Sequence, residues 1–229
     1  MKISRIMRHF ARWHIWLGWL VAVPLLLWTA SGLLMVLRPI DEVRGTDRRI
    51  DHDHQPVRVT LADGQSSETL LREGRLLNQR GRSILLATYM DGTVARIDLS
   101  GGNAPLPPVD EAEARRAVAH AIRGGDQVSA VRLFPANAVP FDFRKPMPVW
   151  QVTLADQTRV YVGRDTGEIE AVRTRWWRAF DFMWGLHIMD PLEREDTSHP
   201  LLIASAALAL LGVLLGTALL FRRRRAARS

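Results

Sequence analysis

Apolar positions along this chain follow three patterns. Trp16–Leu37 and Leu201–Phe221 are continuous apolar runs without a charged side chain. At a rise of ~1.5 Å per residue they reach about 33 and 32 Å, enough to cross a hydrocarbon core of ~30 Å. Between them the pattern becomes short and periodic. Val57–Ala62 has the composition of a strand, Ser66–Leu77 that of a helix, and Ser83–Tyr89 with Thr93–Leu99 that of a hairpin turning at Met90, Asp91 and Gly92. After a break rich in Pro and small residues at Asn103–Pro108, Asp110 and Glu113 form a capping pair. Ala114, Ala117, Val118 and Ala121 then make an apolar helical stripe, which Gly124 and Gly125 close. Val128–Phe134, Val149–Leu154, Arg159–Val162 and Glu168–Arg173 read as strands, with turns at Ala155–Thr158 and Arg164–Gly167. Arg38–Gln55 is charged and aperiodic, as in a linker.

The expected fold class is α+β: two transmembrane helices flanking a periplasmic domain of one helix plus an antiparallel sheet. The segments are a tail at 1–15, a first span at 16–37, a linker with a weaker copy of the helix-and-sheet unit at 38–104 and the main unit at 105–173. They continue with an interfacial amphipathic segment at 174–200, a second span at 201–221 and a basic tail at 222–229. Trp177, Phe180, Trp184 and Ile188 recur at helical spacing over Arg175–Ile188, which places that helix in the outer membrane interface. Seven of the eight Trp lie in or beside the apolar runs, where amphipathic rings anchor at headgroup depth, and Trp150 alone belongs to the soluble part.

Charge decides orientation. Lys2, Arg5, Arg8 and Arg12 precede the first run, Arg222 to Arg225 and Arg228 follow the second, and neither tail holds an acid. These nine charges exceed the formal +7 of the whole chain, so the remainder carries −2. The pI near 11 therefore reports topology and not a nucleic-acid surface. Basic flanks stay in the cytoplasm, which puts both termini inside and the loop in the periplasm of a bacterial inner membrane. Ala30, Ser31 and Gly32 are small enough for a signal peptidase, but the apolar run continues through Leu33–Leu37, so a retained anchor is expected. Without Cys there are no disulfides, thiolate metal sites or thiol nucleophiles. Zincin, nucleophile-elbow, Walker and dinucleotide motifs are also missing, so an autonomous enzyme is not expected.

The alanine-rich helix, Val149-Trp150-Gln151-Val152 and the run Tyr161-Val162-Gly163-Arg164-Asp165-Thr166-Gly167-Glu168-Ile169 resemble a PepSY domain. Arg12, His14, Trp16, Gly18 and Ser31-Gly32 in the first run, and Trp184, His187, Asp190 and Ser198-His199-Pro200 before the second, resemble PepSY-associated membrane proteins. The resemblance implies a binding or assembly module acting on a protein partner in the membrane or periplasm. It also implies an alternative: larger relatives hold haem b on membrane histidines and pass electrons outward in iron or siderophore reduction.

The residues that carry either chemistry are few. His14 is the candidate axial ligand of the first run, but its preferred role is that of an interfacial side chain among Arg12, Trp13 and Trp16. His187 and His199 flank Asp190, Glu193, Glu195 and Asp196 and are the outer candidates for haem or a metal ion, but the wide spacing counts against a preformed cage and the set reads better as a polar re-entry into the membrane. They lie at the opposite membrane face from His14, so ligation of one haem by two histidines requires two chains. In Asp51-His52-Asp53-His54, His52 and His54 share a face if the segment is extended, a weak metal pair that reads better as a solvated linker. Ser205, Ala209, Gly212 and Gly216 put small residues on one face of the second run. That face fits either the first span of the same chain or a homodimer.

Overall fold

Lys2 to Arg12 contains good helix formers and no glycine or proline, so the first helix begins well before the membrane run does. In a computed structural model of the chain, which describes residues 2–50, 71–100 and 102–226, α1 spans Lys2–Met35. The expected tail is thus largely helical. Hydropathy marks where lipid begins, whereas helix length follows propensity. Arg8–Met35 of α1 and Pro200–Phe221 of the last helix are long and apolar enough to cross a membrane. Within α1, Thr29 and Ser31 donate their hydroxyl protons to the carbonyls of Leu25 (2.8 Å) and Leu27 (2.6 Å), so these polar groups are satisfied without water.

The chain divides into two units, Ile40–Arg178 and the pair of segments Met1–Pro39 with Ala179–Ser229. The first unit holds two four-stranded antiparallel sheets. Sheet one is a meander of β1 (Leu71–Gln79), β2 (Arg82–Tyr89), β3 (Val94–Asp98) and β4 (Ala104–Leu106). Sheet two is a meander of β5 (Val128–Phe134), β6 (Val149–Leu154), β7 (Arg159–Gly163) and β8 (Ile169–Arg173). Between them in sequence lie α3 (Glu111–Ala121) and, before sheet one, the short α2 (Ile40–Arg44).

Two expectations fail here. Residues 71–77 are strand and not the end of a helix over Ser66–Leu77, because Leu71–Gln79 pairs along its length with β2 through a two-residue turn at Arg80-Gly81. Local leucine spacing fits a helix, and the cross-strand partner overrides it. The first half of that expected helix, the expected strand at Val57–Ala62, and His52 and His54 lie outside the described residues. The expected linker also has structure. Val43 of α2 is buried, Arg49 bridges Ile122, and the Ile50 amide donates to the Ala121 carbonyl (2.8 Å).

Sheet two is covered on both faces, and strand alternation decides which residue goes where. Trp150, Val152, Leu154, Val160, Val162 and Val172 pack with Ala114, Ala117 and Val118 of α3. Val149, Tyr161 and Ala171 face the other way, against Phe143 from the Pro-rich loop 135–148. The strand β7 therefore reads Arg-Val-Tyr-Val-Gly, apolar without alternation, as a strand enclosed on two sides should. Asp110 caps α3 by accepting from the Glu113 amide (2.6 Å), and Trp150 donates its indole N–H to the Val109 carbonyl (2.7 Å), fixing the helix entry.

In the second unit α5 (Pro200–Ala226) runs antiparallel to α1. Both carry partly or fully buried residues at a spacing of three and four: His14, Leu17, Val21, Pro24, Trp28 and Ser31 on α1, Leu202, Ser205, Ala209, Gly212, Gly216 and Leu219 on α5. This is the spacing of a seam between two packed helices. The helix α4 spans Arg175–His187, within one residue of the expected segment.

Candidate functional site

The small face of α5 lies against α1 of the same chain at Gly212 and Gly216. A Cβ added at Gly212 would stand 3.5 Å from Leu17, and one added at Gly216 would stand 2.9 Å from the His14 ring. His14 thus lies against a glycine, with its Nδ1 buried and without a hydrogen-bond partner among the described residues. A groove of about 380 Å³ opens beside it, lined by Val21, Ala209, Gly212, Gly216 and Thr217 among others, and its lining contains no second imidazole. Ser205 lies half-buried near the N-terminal end of α5, on the same seam.

At the other end of α1, His187 is held by three α1 residues. Its Nδ1 is 3.2 Å from the Trp28 carbonyl and 3.1 Å from Ser31 Oγ, and its ring stands 5.6 Å from the Trp28 ring, tilted by 46°. A carbonyl oxygen only accepts, so Nδ1 donates in this bond. Gly32 leaves room for the ring: a Cβ there would be 3.3 Å from it. His199 is spent differently, accepting the Leu201 amide at Nδ1 (3.3 Å) at the entry of α5. His14, His187 and His199 thus each have a different set of neighbours.

The acids beside them are occupied as well. Asp190 accepts from the amides of Glu193 (3.2 Å), Glu195 (3.1 Å) and Asp196 (3.2 Å), which folds the loop before α5 around one carboxylate. Asp181 pairs with Arg194 at 2.7 Å, both largely buried, and Trp184 donates its indole N–H to the Arg194 carbonyl. Among the described residues no three His, Asp or Glu side chains converge as a metal set. The Asp190 carboxylate is thus engaged in holding the loop.

In the soluble unit two networks escaped the sequence reading. Arg96, 2% exposed, donates to both carboxylate oxygens of Glu113 (2.7 and 3.1 Å) and to the Pro107 carbonyl (2.8 Å), and Arg80 reaches the same carboxylate (2.6 Å). The hydrogen bond from Arg96 and the positive charge beside it hold the Glu113 carboxyl below its ordinary value, against the opposing effect of burial. A capping pair signals Glu113 as helix chemistry only. Its carboxylate instead ties α3 to sheet one. On the other face of sheet two, Tyr161 donates to Asp142 (2.6 Å), Arg159 pairs with the same carboxylate (3.1 Å), and Gln151 donates to the Tyr161 oxygen (2.6 Å). Burial, then the Asp142 bond and charge, push the Tyr161 phenol well above its ordinary value. Trp177 is flanked by the guanidinium groups of Arg173 (4.1 Å) and Arg144 (5.9 Å), and Arg144 also covers Phe141 (4.9 Å).

The strand edges differ in accessibility. The outer side of β8 is flanked by the segment after α2, with Arg49 donating to the Ile169 carbonyl and Gly45 against Val172. The strand β5 has β6 on one side and, among the described residues, no strand on the other. Ser129, Ala130, Arg132 and Leu133 are exposed along it.

The family model for the PepSY-associated TM region matches residues 10–229. The chain belongs to this PepSY-associated transmembrane family. Neither a curated protein nor a solved structure matched it. Membership fits the observed α+β unit between two membrane helices, and it extends through the sheets as well as the spans.

Proposed function

We propose that the chain is a membrane-anchored PepSY-type module that binds an extended segment of a protein partner along the outer edge of β5. The observation that carries this reading is that edge. An unpartnered strand offers a row of amide and carbonyl groups to a second chain, while a sheet packed on both faces is rigid enough to present them. The acid-free basic tails support an orientation with both termini in the cytoplasm and the sheets in the periplasm of a bacterial inner membrane. A photo-crosslinking side chain at Ser129 or at Leu133, which is 42% exposed, should give a discrete adduct with a second polypeptide in intact membranes. The same group at exposed His120 on α3 should give none. Equal adducts at all three positions would remove the edge from consideration.

One observation favours a second reading, a haem b-bearing electron-transfer subunit linked to iron or siderophore reduction. His14 Nδ1 is buried without a partner beside a groove. The fit is partial, since the groove supplies one imidazole and ligation by two needs a second copy of the chain. Membranes enriched in the protein would show a reducible b-type absorbance proportional to it, lost in His14→Ala. A spectrum without that band ends this reading.

A further inference from the structure

The turn between β1 and β2 is built from an unusual residue. Its two central positions, Arg80 and Gly81, both have positive φ (55° and 84°), a geometry in which asparagine or glycine is the ordinary first choice. The arginine there points its guanidinium at Glu113 of α3, alongside Arg96. Around this pair the hairpin, β3 and α3 border a half-open cavity of about 380 Å³, lined by Arg80, Arg82, Arg96 and Arg116 with Glu113 as its acid.

Charge within the cavity does not balance. Glu113 is shared between Arg80 and Arg96. Arg82 and Arg116 are exposed and form no ion pair among the described residues. Arg96 is almost wholly buried, and its Nε has no hydrogen-bond partner among the described residues. A buried guanidinium N–H without an acceptor is costly, and water or an oxyanion relieves it. Four guanidiniums against one carboxylate leave three positive charges facing a space of small-molecule size, larger than a single phosphate needs.

We propose that this cavity binds a small polyanion carrying at least two carboxylate or phosphate groups, gripped by Arg82 and Arg116 with Arg80 and Arg96 behind them. Planar guanidinium forks match both oxyanions, which is why arginine and not lysine serves here. The cavity is formed by sheet one and α3, so it is separate from the β5 edge, and neither site depends on the other.

The test uses the full chain in a non-ionic detergent, titrated calorimetrically with pyrophosphate and, in a second arm, with tricarballylate. One-site binding tighter than ~1 mM to either probe is expected, and the arm that binds tells phosphate from carboxylate. The double variant Arg82→Gln, Arg116→Gln should weaken it at least about tenfold with an unchanged unfolding midpoint, since neither side chain is buried. Arg223→Gln, Arg224→Gln in the basic tail should leave it intact. Absence of binding by both probes, or equal loss in the tail variant, would overturn the proposal.

Discussion

Glu113→Ala is expected to destabilise the soluble unit by about 3 kcal/mol, because it strands the buried Arg96 guanidinium without its counter-charge. Amide exchange at Ala117 and Val118, both buried in α3, should accelerate by roughly a hundredfold if it proceeds through opening of this unit. The effect carries its own pH signature. Glu113 has a depressed carboxyl in the folded state, so its contribution is complete above the ordinary value of 4.5 and fades as pH falls through the lower folded value. Wild type and variant should therefore converge in acid. Adding Arg96→Met to Glu113→Ala should recover most of the loss, since an apolar pair avoids the desolvation that made the lone charge costly. A single variant that exchanges like wild type would mean that Arg96 does not need its partner.

Asp142→Ala should cost a similar ~3 kcal/mol, by a different route. It removes the acceptor of the Tyr161 hydroxyl, which is fully buried, and leaves Arg159 without its counter-charge. Tyr161→Phe should cost about half as much, because Asp142 keeps Arg159 and the Phe143 stacking at 4.8 Å survives. The double variant should fall short of the sum of the two, as expected for groups in one network. The phenol supplies the pH test. Its pKa is raised on folding, so stability is intact below the ordinary value of 10 and declines as pH rises above it. Tyr161 should ionise only when the unit opens in alkali, and an absorbance titration showing it ionised in the folded chain would contradict this account.

Legibility tracked the range of the interaction. The strands of sheet two, the hairpin around Asp91-Gly92 and the helix opened by Asp110 were all visible as local patterns, and the structure places them within a residue or two. The candidate histidines were visible as residues, but their surroundings were not. Along the chain His14 has Trp13 and Trp16 beside it, yet in the fold its ring lies against Gly216. Likewise the acids that follow His187 are its neighbours in sequence, while its bonds run to Trp28 and Ser31, more than 150 residues earlier. No pattern local to Glu113 announces Arg80 and Arg96, because an ion pair between sheet and helix leaves no period in either.

By itself the sequence determined the two spans, the strand and helix order between them and the family resemblance, because hydropathy, periodicity and caps act within a few turns of the chain. The tertiary structure decided the rest. It made a strand of Leu71–Gln79 by supplying β2 as a partner, wrapped loop 135–148 over the second face of sheet two, and folded the acids after His187 into a loop around Asp190. It also gave the small face of α5 to α1. Each of these depends on which distant groups meet once the backbone closes, and contact energies of that kind are not written in the spacing of any one segment.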